Sequence, residues 1–332
     1  IGPAINGKLY ANFLQSLSNL FGLDGIFSAY HSYPGYWLLG DDGQPVYGSI
    51  QPQTKQALGK LREWYASGLI DREMGVRESA KEFAISGGGG ITFGPFWMPT
   101  GGLTDAVKEN PNANWQAYAF PLDMNGKYTP KLGATSLDFV VVRKGYEHPE
   151  AAMKLVNDYQ ENRGIFDSAL GGFYPLRQIY VPLDEYQFTI NAIEEVLAGK
   201  KKPEDYAEYY SWYNRLETDL VNVRKVKLEP FDNMDIQYWN PEASWDIYQR
   251  MFNIMIGARP LTKVDMEPVY SLIYTQTPGM ERTWPNLKKI EDEAFMKIIM
   301  GVEPLDAFDK FVEQWKRQGG DAITAEVAEF VK

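Results

Sequence analysis

Apolar residues along this chain follow a helical period near the start and through the second half, with short extended runs between. Leu9, Phe13, Leu17 and Leu20 or Phe21 share one helical face, and Gly22 follows as a stop. Residues 23–50 read as loop and short strand, with Tyr30, Tyr33, Tyr36 and Trp37 set among Ser, Pro and Gly. Asp41-Asp42-Gly43-Gln44 predicts a turn into the strand Pro45-Val46-Tyr47. A helix is predicted over about 52–67, with Ala57, Leu58, Leu61, Trp64 and Tyr65 on one face and Gly68 beyond its end. At that spacing Trp64 reads as core. A short helix near 77–85 then leads into Gly87-Gly88-Gly89-Gly90 and the apolar run Ile91-Thr92-Phe93, which ends at Phe96 and Trp97.

Residues 115–121 and 132–142 read as strands, and Asp138-Phe-Val-Val-Val-Arg143 is the clearest apolar run. Pro149 and Glu150 then suit the first turn of a helix, where orphan amides and a positive end favour both residue types. From 184 onward the pattern is nearly all helical. Tyr186, Ile190, Ile193 and Leu197 mark one face; Tyr206, Tyr210, Tyr213, Leu216 and Leu220 mark a second; Ile247, Met251, Ile254 and Met255 mark a third. Two more follow in Leu287, Ile290, Ala294 and Ile298, and in Leu305, Phe308, Val312 and Trp315. Strands early and helices late make an α/β protein with a large helical C-terminal part. At 332 residues, two lobes are expected in place of one core.

Composition narrows the chemistry. A net charge of −11, with no basic stripe beyond Lys200-Lys201-Lys202, argues against nucleic acid and against an anionic membrane surface. The absence of cysteine removes disulfides, thiolate metal sites and Cys nucleophiles. His31 and His148 lie far apart in sequence, which disfavours a His-based zinc site. No segment has the length of a membrane span. The aromatic content, 9 Trp, 21 Tyr and 17 Phe, exceeds what a core needs and suits a wet binding surface for a fraction of them.

The glycine run does not fit a phosphate loop. No Gly-Lys-Ser/Thr closes it, and a dinucleotide fingerprint begun at Gly87 or Gly88 would need glycine at Thr92 or Phe93. Two readings remain: a plain loop, or a turn feeding a strand that delivers Phe96 and Trp97 to an open cleft. Glu229, Asp232 and Asp235 cluster near Tyr238 and Trp239, a mixture compatible with a glycoside hydrolase or with non-catalytic recognition of sugar hydroxyls. A serine-hydrolase elbow of the Gly-x-Ser-x-Gly type is absent. Asp123-Met-Asn-Gly-Lys127 supplies too few oxygens for a calcium loop and reads as a hairpin turn.

Four stretches together resemble one family. They are Asp42-Gly-Gln-Pro-Val-Tyr-Gly-Ser-Ile-Gln-Pro52 with Trp64-Tyr-Ala-Ser-Gly-Leu-Ile-Asp71, the strand end Gly94-Pro-Phe-Trp97, Phe139-Val-Val-Val-Arg-Lys144 running into His148-Pro-Glu-Ala-Ala152, and Phe311-Val-Glu-Gln-Trp-Lys-Arg-Gln-Gly-Gly320. In that order they resemble the extracellular solute-binding proteins (family 1) of bacterial ABC importers, in the oligosaccharide-binding lipoprotein branch of Gram-positive bacteria. The resemblance implies a type II periplasmic-binding-protein-like α/β fold, with two lobes joined by hinge strands that close on ligand by rigid-body rotation. It implies an α/β lobe over 1–130, then a hinge strand and helical remainder over 131–332 contributing to both lobes. Such proteins are typically longer at the N-terminus, with a signal peptide and a lipid-modified cysteine. Ile1 is therefore expected to fall partway into a longer precursor, with the first lobe incomplete.

The function so implied is non-catalytic capture of a sugar outside the cell, at the cell surface, by a monomer that hands it to ABC permease subunits and needs no cofactor. Aromatic stacking on sugar faces and polar contacts to hydroxyls would carry the binding. Trp97, with Phe96 behind it, is the first candidate platform; Tyr36 and Trp37 come second; Trp239 with Asp232 and Asp235 comes third. Gly133, Ala134 and Thr135 could admit ligand to the backbone. The alternative is a carbohydrate-active enzyme using Glu229, Asp232 or Asp235.

Overall fold

The computed structural model describes residues 23–73, 94, 96–119, 122–134, 140–162, 182–213 and 215–332, with residue 85 and the strand backbones at 9–10 and 91–92. Within them the apolar side chains form two separate cores.

The first core combines the beginning and the end of the described chain. Helix α1 (Asp24–Ser28), the hairpin of β2 (Trp37–Leu39) and β3 (Pro45–Tyr47), and α2 (Pro52–Ala66) pack against α8 (Pro278–Ile299), α9 (Ala307–Trp315) and α10 (Asp321–Phe330). The hairpin forms because Gly43 takes a left-handed φ of 74° at its turn and Gln44 donates through its amide to Asp42 Oδ1 at 3.0 Å. Helix α2 follows its sequence expectation closely: Pro52 opens it, Gly68 follows it at φ 75°, and the predicted face, Trp64 included, is buried.

Aromatic rings fill the centre of this core. The Tyr47 and Trp315 rings stack at 4.9 Å and 10°, with Trp37 at 5.1 Å from Tyr47 and Trp284 at 5.2 Å. A Cβ on Gly320 would lie 2.1 Å from Trp315 Cε3, so only glycine lets α10 approach that ring. Glu291 is fully buried here, and its two carboxylate oxygens accept from Tyr47 Oη at 2.9 Å and Lys288 Nζ at 2.6 Å.

The second core joins α3 (Leu103–Glu109), α5 (Glu185–Leu197), α6 (Leu216–Val226), α7 (Trp245–Met251) and the π-helical turn Phe252–Ala258 that continues α7. Asp219 on α6 takes a two-pronged bond from Arg250 on α7, Nε to Oδ1 at 3.2 Å and Nη2 to Oδ2 at 2.9 Å. Buried residues of the first core lie in 23–70 and 273–327, and those of the second in 107–258. Both cores draw on segments far apart in sequence.

Two stretches of chain enter the first core side by side. Strand β5 (Lys131–Leu132) pairs in parallel with β6 (Val269–Tyr270), and a bridge between Tyr128 and Met266 extends the ladder. One stretch follows the second-core residues Trp115 and Ala117, and the other follows Ala258. A parallel pair of this kind cannot be closed by a tight turn.

Several sequence expectations differ from this arrangement. Leu9 and Tyr10 form a strand, β1, in parallel register with Ile91 and Thr92 of β4, and do not begin a helix. Pairing with residues some eighty positions away leaves no trace in local periodicity. Residues 113–119 are irregular, because Asn114 and Gln116 bond to the loop at 234–236 in place of a ladder. Val140–Arg143 are likewise irregular and exposed, so of the strand expected over 132–142 only Leu132 is a strand residue among the described residues. The predicted Tyr206–Leu220 face is split into the 3-10 helix Pro203–Tyr209 and α6, with Arg215 at φ 62° between them. Helix α4 (Glu150–Glu161) begins one residue after Pro149, which caps it. On the helices expected at α5, α7, α8 and α9, Ile190, Ile193, Leu197, Met251, Leu287, Ile298, Phe308 and Trp315 are buried, and Tyr186, Ile247, Ile290, Ala294 and Val312 are half-buried against the same cores.

Candidate functional site

Among the described aromatic candidates, Trp97 is the one exposed to solvent, at 49%. Its position is set by a clamp beneath it. Gly257, in the π-helical turn, lies so close that a Cβ there would sit 2.1 Å from the Phe96 carbonyl oxygen. Just beyond Trp97, Thr100 donates through its amide to Asn253 Oδ1 at 3.2 Å, and Asn253 Nδ2 donates to Thr100 Oγ1 at 2.6 Å. Thr104 donates from Oγ1 to the Pro99 carbonyl at 3.1 Å. Phe96 packs inward on Tyr186, with ring centroids 4.4 Å apart. The structure thus separates the two residues: Phe96 anchors the turn and Trp97 projects from it. A π-helical insertion that re-aims a neighbouring residue is a recurrent device at functional sites.

Tyr36 and Trp37 diverge in the same way. Trp37 is 2% exposed at the centre of the first core, stacked near Trp284 and Trp315. Its ring is covered on all sides by the first core and is not open to solvent. Tyr36, 8% exposed, lies where β5 enters the first core: its hydroxyl and that of Tyr274 both donate to the Leu132 carbonyl, the latter at 2.8 Å. The two rings meet edge-on at 5.9 Å, and Lys131 Nζ lies 4.7 Å from the Tyr36 ring centroid. Lys131 is buried, donating to Asp24 Oδ1 at 3.1 Å and to the Pro34 carbonyl at 2.6 Å. Burial pushes the Asp24 carboxyl up to about 7 against the pull of Lys131, and burial also holds the Lys131 ammonium below its usual range. Tyr36 is accordingly a structural ring at the root of the β5–β6 pair. Tyr274 beside it is 43% exposed and Tyr270 on β6 is 55% exposed. Neither was a sequence candidate, and the aromatic excess was the one signal that pointed toward them.

The third group lies on the loop after α6, which is built around a buried lysine. Lys227 Nζ donates to the carbonyls of Leu228 at 2.7 Å, Pro230 at 3.0 Å and Tyr238 at 3.4 Å. The rings of Tyr238 and Trp239 lie within 5.5 Å and 5.3 Å of it. Burial pulls its ammonium down to about 8. Trp239 is 3% exposed and donates from Nε1 to the Met234 carbonyl at 3.2 Å, so it is a packing residue and not a platform. Glu229 and Asp232 are exposed and Asp235 is half-buried, and among the described residues none of the three shares a hydrogen bond or ion pair with another.

Asp123 is the turn residue its sequence suggested. Its Oδ1 accepts from the amides of Asn125 and Lys127, both at 2.8 Å, and its Oδ2 lies 3.1 Å from His31 Nε2. Among the described residues no cluster of acidic or histidine side chains could hold a metal ion, and no helix is long and apolar enough to cross a membrane. Gly133 and Ala134 are half-buried beside β5. Thr135, Gly87–Gly90 and Asp138-Phe139 lie outside the described residues.

No family model matches the chain. An uncharacterized protein in the butB 5'region of Niallia circulans is 26% identical over 280 residues, which cover 82% of this chain and 96% of that protein. Among solved structures, the alginate-binding protein AlgQ2, crystallised without calcium ion, superposes with a TM-score of 0.55 at 14% identity. The match covers 93% of this chain and 62% of that one, so the chain spans about three fifths of the length of that structure. The likeness is one of fold: a helix-rich α/β chain of the periplasmic-binding-protein type.

Proposed function

We propose that this chain captures a carbohydrate without reacting with it and delivers it to an ABC importer at the outer face of the cell. The observation that carries this reading is Trp97: a large ring, 49% exposed, on a turn held by hydrogen bonds to Asn253, in a chain that shares the fold of an alginate-binding protein. A flat indole that need not be ordered on binding is suited to the apolar face of a sugar ring. Tyr274 and Tyr270, partly exposed at the end of the β5–β6 pair, offer further rings of the same kind. The two cores support a two-lobe reading, with the β5–β6 pair among the segments that join the lobes and permit closure. An oligosaccharide ligand, permease subunits as partners, a monomeric state and a lipid anchor in a longer precursor complete the proposal.

Calorimetric titration with a panel of neutral and acidic oligosaccharides, followed by mass spectrometry of the recovered sugars, tests it. Saturable binding with the sugars recovered intact is expected. Turnover of any member of the panel would replace capture by catalysis.

A further inference from the structure

A cleft of about 890 Å³ lies beside the second core, and none of the residues of the Trp97 turn lines it. Its volume is that of a small-molecule site. The end of α5, Arg224 of α6, the Lys227-centred loop and the 3-10 turn Arg259–Lys263 form its walls. Of the sequence candidates it holds only Asp232.

The charge in this cleft runs against that of the molecule. The chain carries −11 overall, yet Lys200, Arg224, Arg259 and Lys263 converge here. Two of the three acids that share the lining are already neutralised. Glu194 accepts from Arg259 Nε at 2.6 Å and from Lys263 Nζ at 3.4 Å, and these cations hold its carboxyl below the usual range although burial pushes it the other way. Glu195 is held by Tyr206 Oη and by Lys201, whose Nζ lies 3.0 Å away. Among the described residues Lys200 has no ion pair, and the two Nη atoms of Arg259 have no hydrogen bond. Arg224 donates from Nη2 to the Val196 and Leu197 carbonyls at 2.5 Å and 3.2 Å, and its guanidinium lies 5.1 Å from the Phe231 ring centroid. That stack makes a flat wall beside the cations. Asp232, exposed, makes no ion pair within 4.0 Å among the described residues, though its charge acts on the buried Lys227.

We propose that this cleft is a second binding site, for a small anion bearing a carboxylate or phosphate group. Lys200, Lys263 and the open fork of Arg259 receive the charge, and the Arg224–Phe231 wall covers the rest of the molecule. Asp232 opposes binding by repulsion.

The test uses the whole chain in a Trp97→Ala background, so that the carbohydrate platform does not report. Inorganic phosphate, galacturonate and galactose are titrated separately by calorimetry. Binding of phosphate or galacturonate is expected, with galactose weaker than either. The double variant Lys200→Gln, Lys263→Gln changes two exposed side chains and should weaken the bound anion about tenfold or more, while Asp232→Asn should tighten it about threefold. Phosphate alone identifies a phosphate-bearing ligand, and galacturonate alone a carboxylate-bearing one. The proposal is overturned if neither anion binds, or if the double variant leaves affinity unchanged. It is equally overturned if galactose binds as well as the anions and Asp232→Asn weakens it, which is the sign expected of a neutral-polyol site.

Discussion

Trp37 and Trp97 are each the tryptophan of a short aromatic pair, one beside Tyr36 and one beside Phe96, and they end in opposite environments. At the first core Tyr36 is buried against the β5 backbone, and Trp37 packs among Tyr47, Trp284 and Trp315. In the second core it is Phe96 that turns inward, against Tyr186, and Trp97 that stays half exposed. Different partners account for the first pair: Tyr36 bonds the Leu132 carbonyl and Trp37 packs among the rings of the first core. A tight backbone contact accounts for the second, since Gly257 brings the π-helical turn up to the Phe96 carbonyl. An aromatic residue is available for binding when the structure behind it already has its core ring.

The strongest way to break this comparison is to remove the buried member. Trp37→Ala should destabilise the chain by about 3–5 kcal/mol, the range for emptying a core aromatic site, as read by denaturant unfolding. A loss below about 1 kcal/mol would mean that the ring is not part of a close-packed centre.

Gly257→Ala sharpens the other side. The added methyl would meet the Phe96 carbonyl at 2.1 Å, so the turn carrying Trp97 must shift. Overpacking of this kind should cost about 1–3 kcal/mol of stability, and sugar affinity should fall with it, although residue 257 has no surface of its own.

The buried Asp24–Lys131 pair gives the first core a pH signature of its own. Asp24 is raised from 3.8 to about 7 in the folded state, chiefly by burial. Between those values the unfolded chain releases this proton and the folded chain keeps it, so the group's contribution to stability falls as pH rises from about 4 to about 7. Asp24→Asn should flatten that part of the stability–pH curve. Asp219 in the second core is also raised by burial, but its two-pronged bond from Arg250 works against the shift. An unchanged slope in the Asp24 variant would show that the proton is not held there.

Helix α2, the hairpin turn and the faces of α5, α7, α8 and α9 were legible because each is written in a local period or a local turn. The parallel pairs β1–β4 and β5–β6 were not, because each joins residues tens of positions apart through backbone bonds to which side-chain pattern contributes little. Trp97 could be singled out from its place at a strand end, whereas nothing local distinguishes Trp37 or Trp239 from it. Their burial depends on rings contributed by α8 and α9 and on the carbonyl cage of Lys227. Lys131 and Tyr274, which root β5 in the first core, were invisible for the same reason: their partners lie 107 and 142 residues away.

The most direct measurement is the affinity of Trp97→Ala for whichever oligosaccharide the wild-type chain binds, taken alongside its unfolding free energy. The expected result is a loss of about 1–3 kcal/mol in binding with stability changed by no more than about 0.5 kcal/mol. Unchanged affinity, or a stability loss as large as that of Trp37→Ala, would contradict the account.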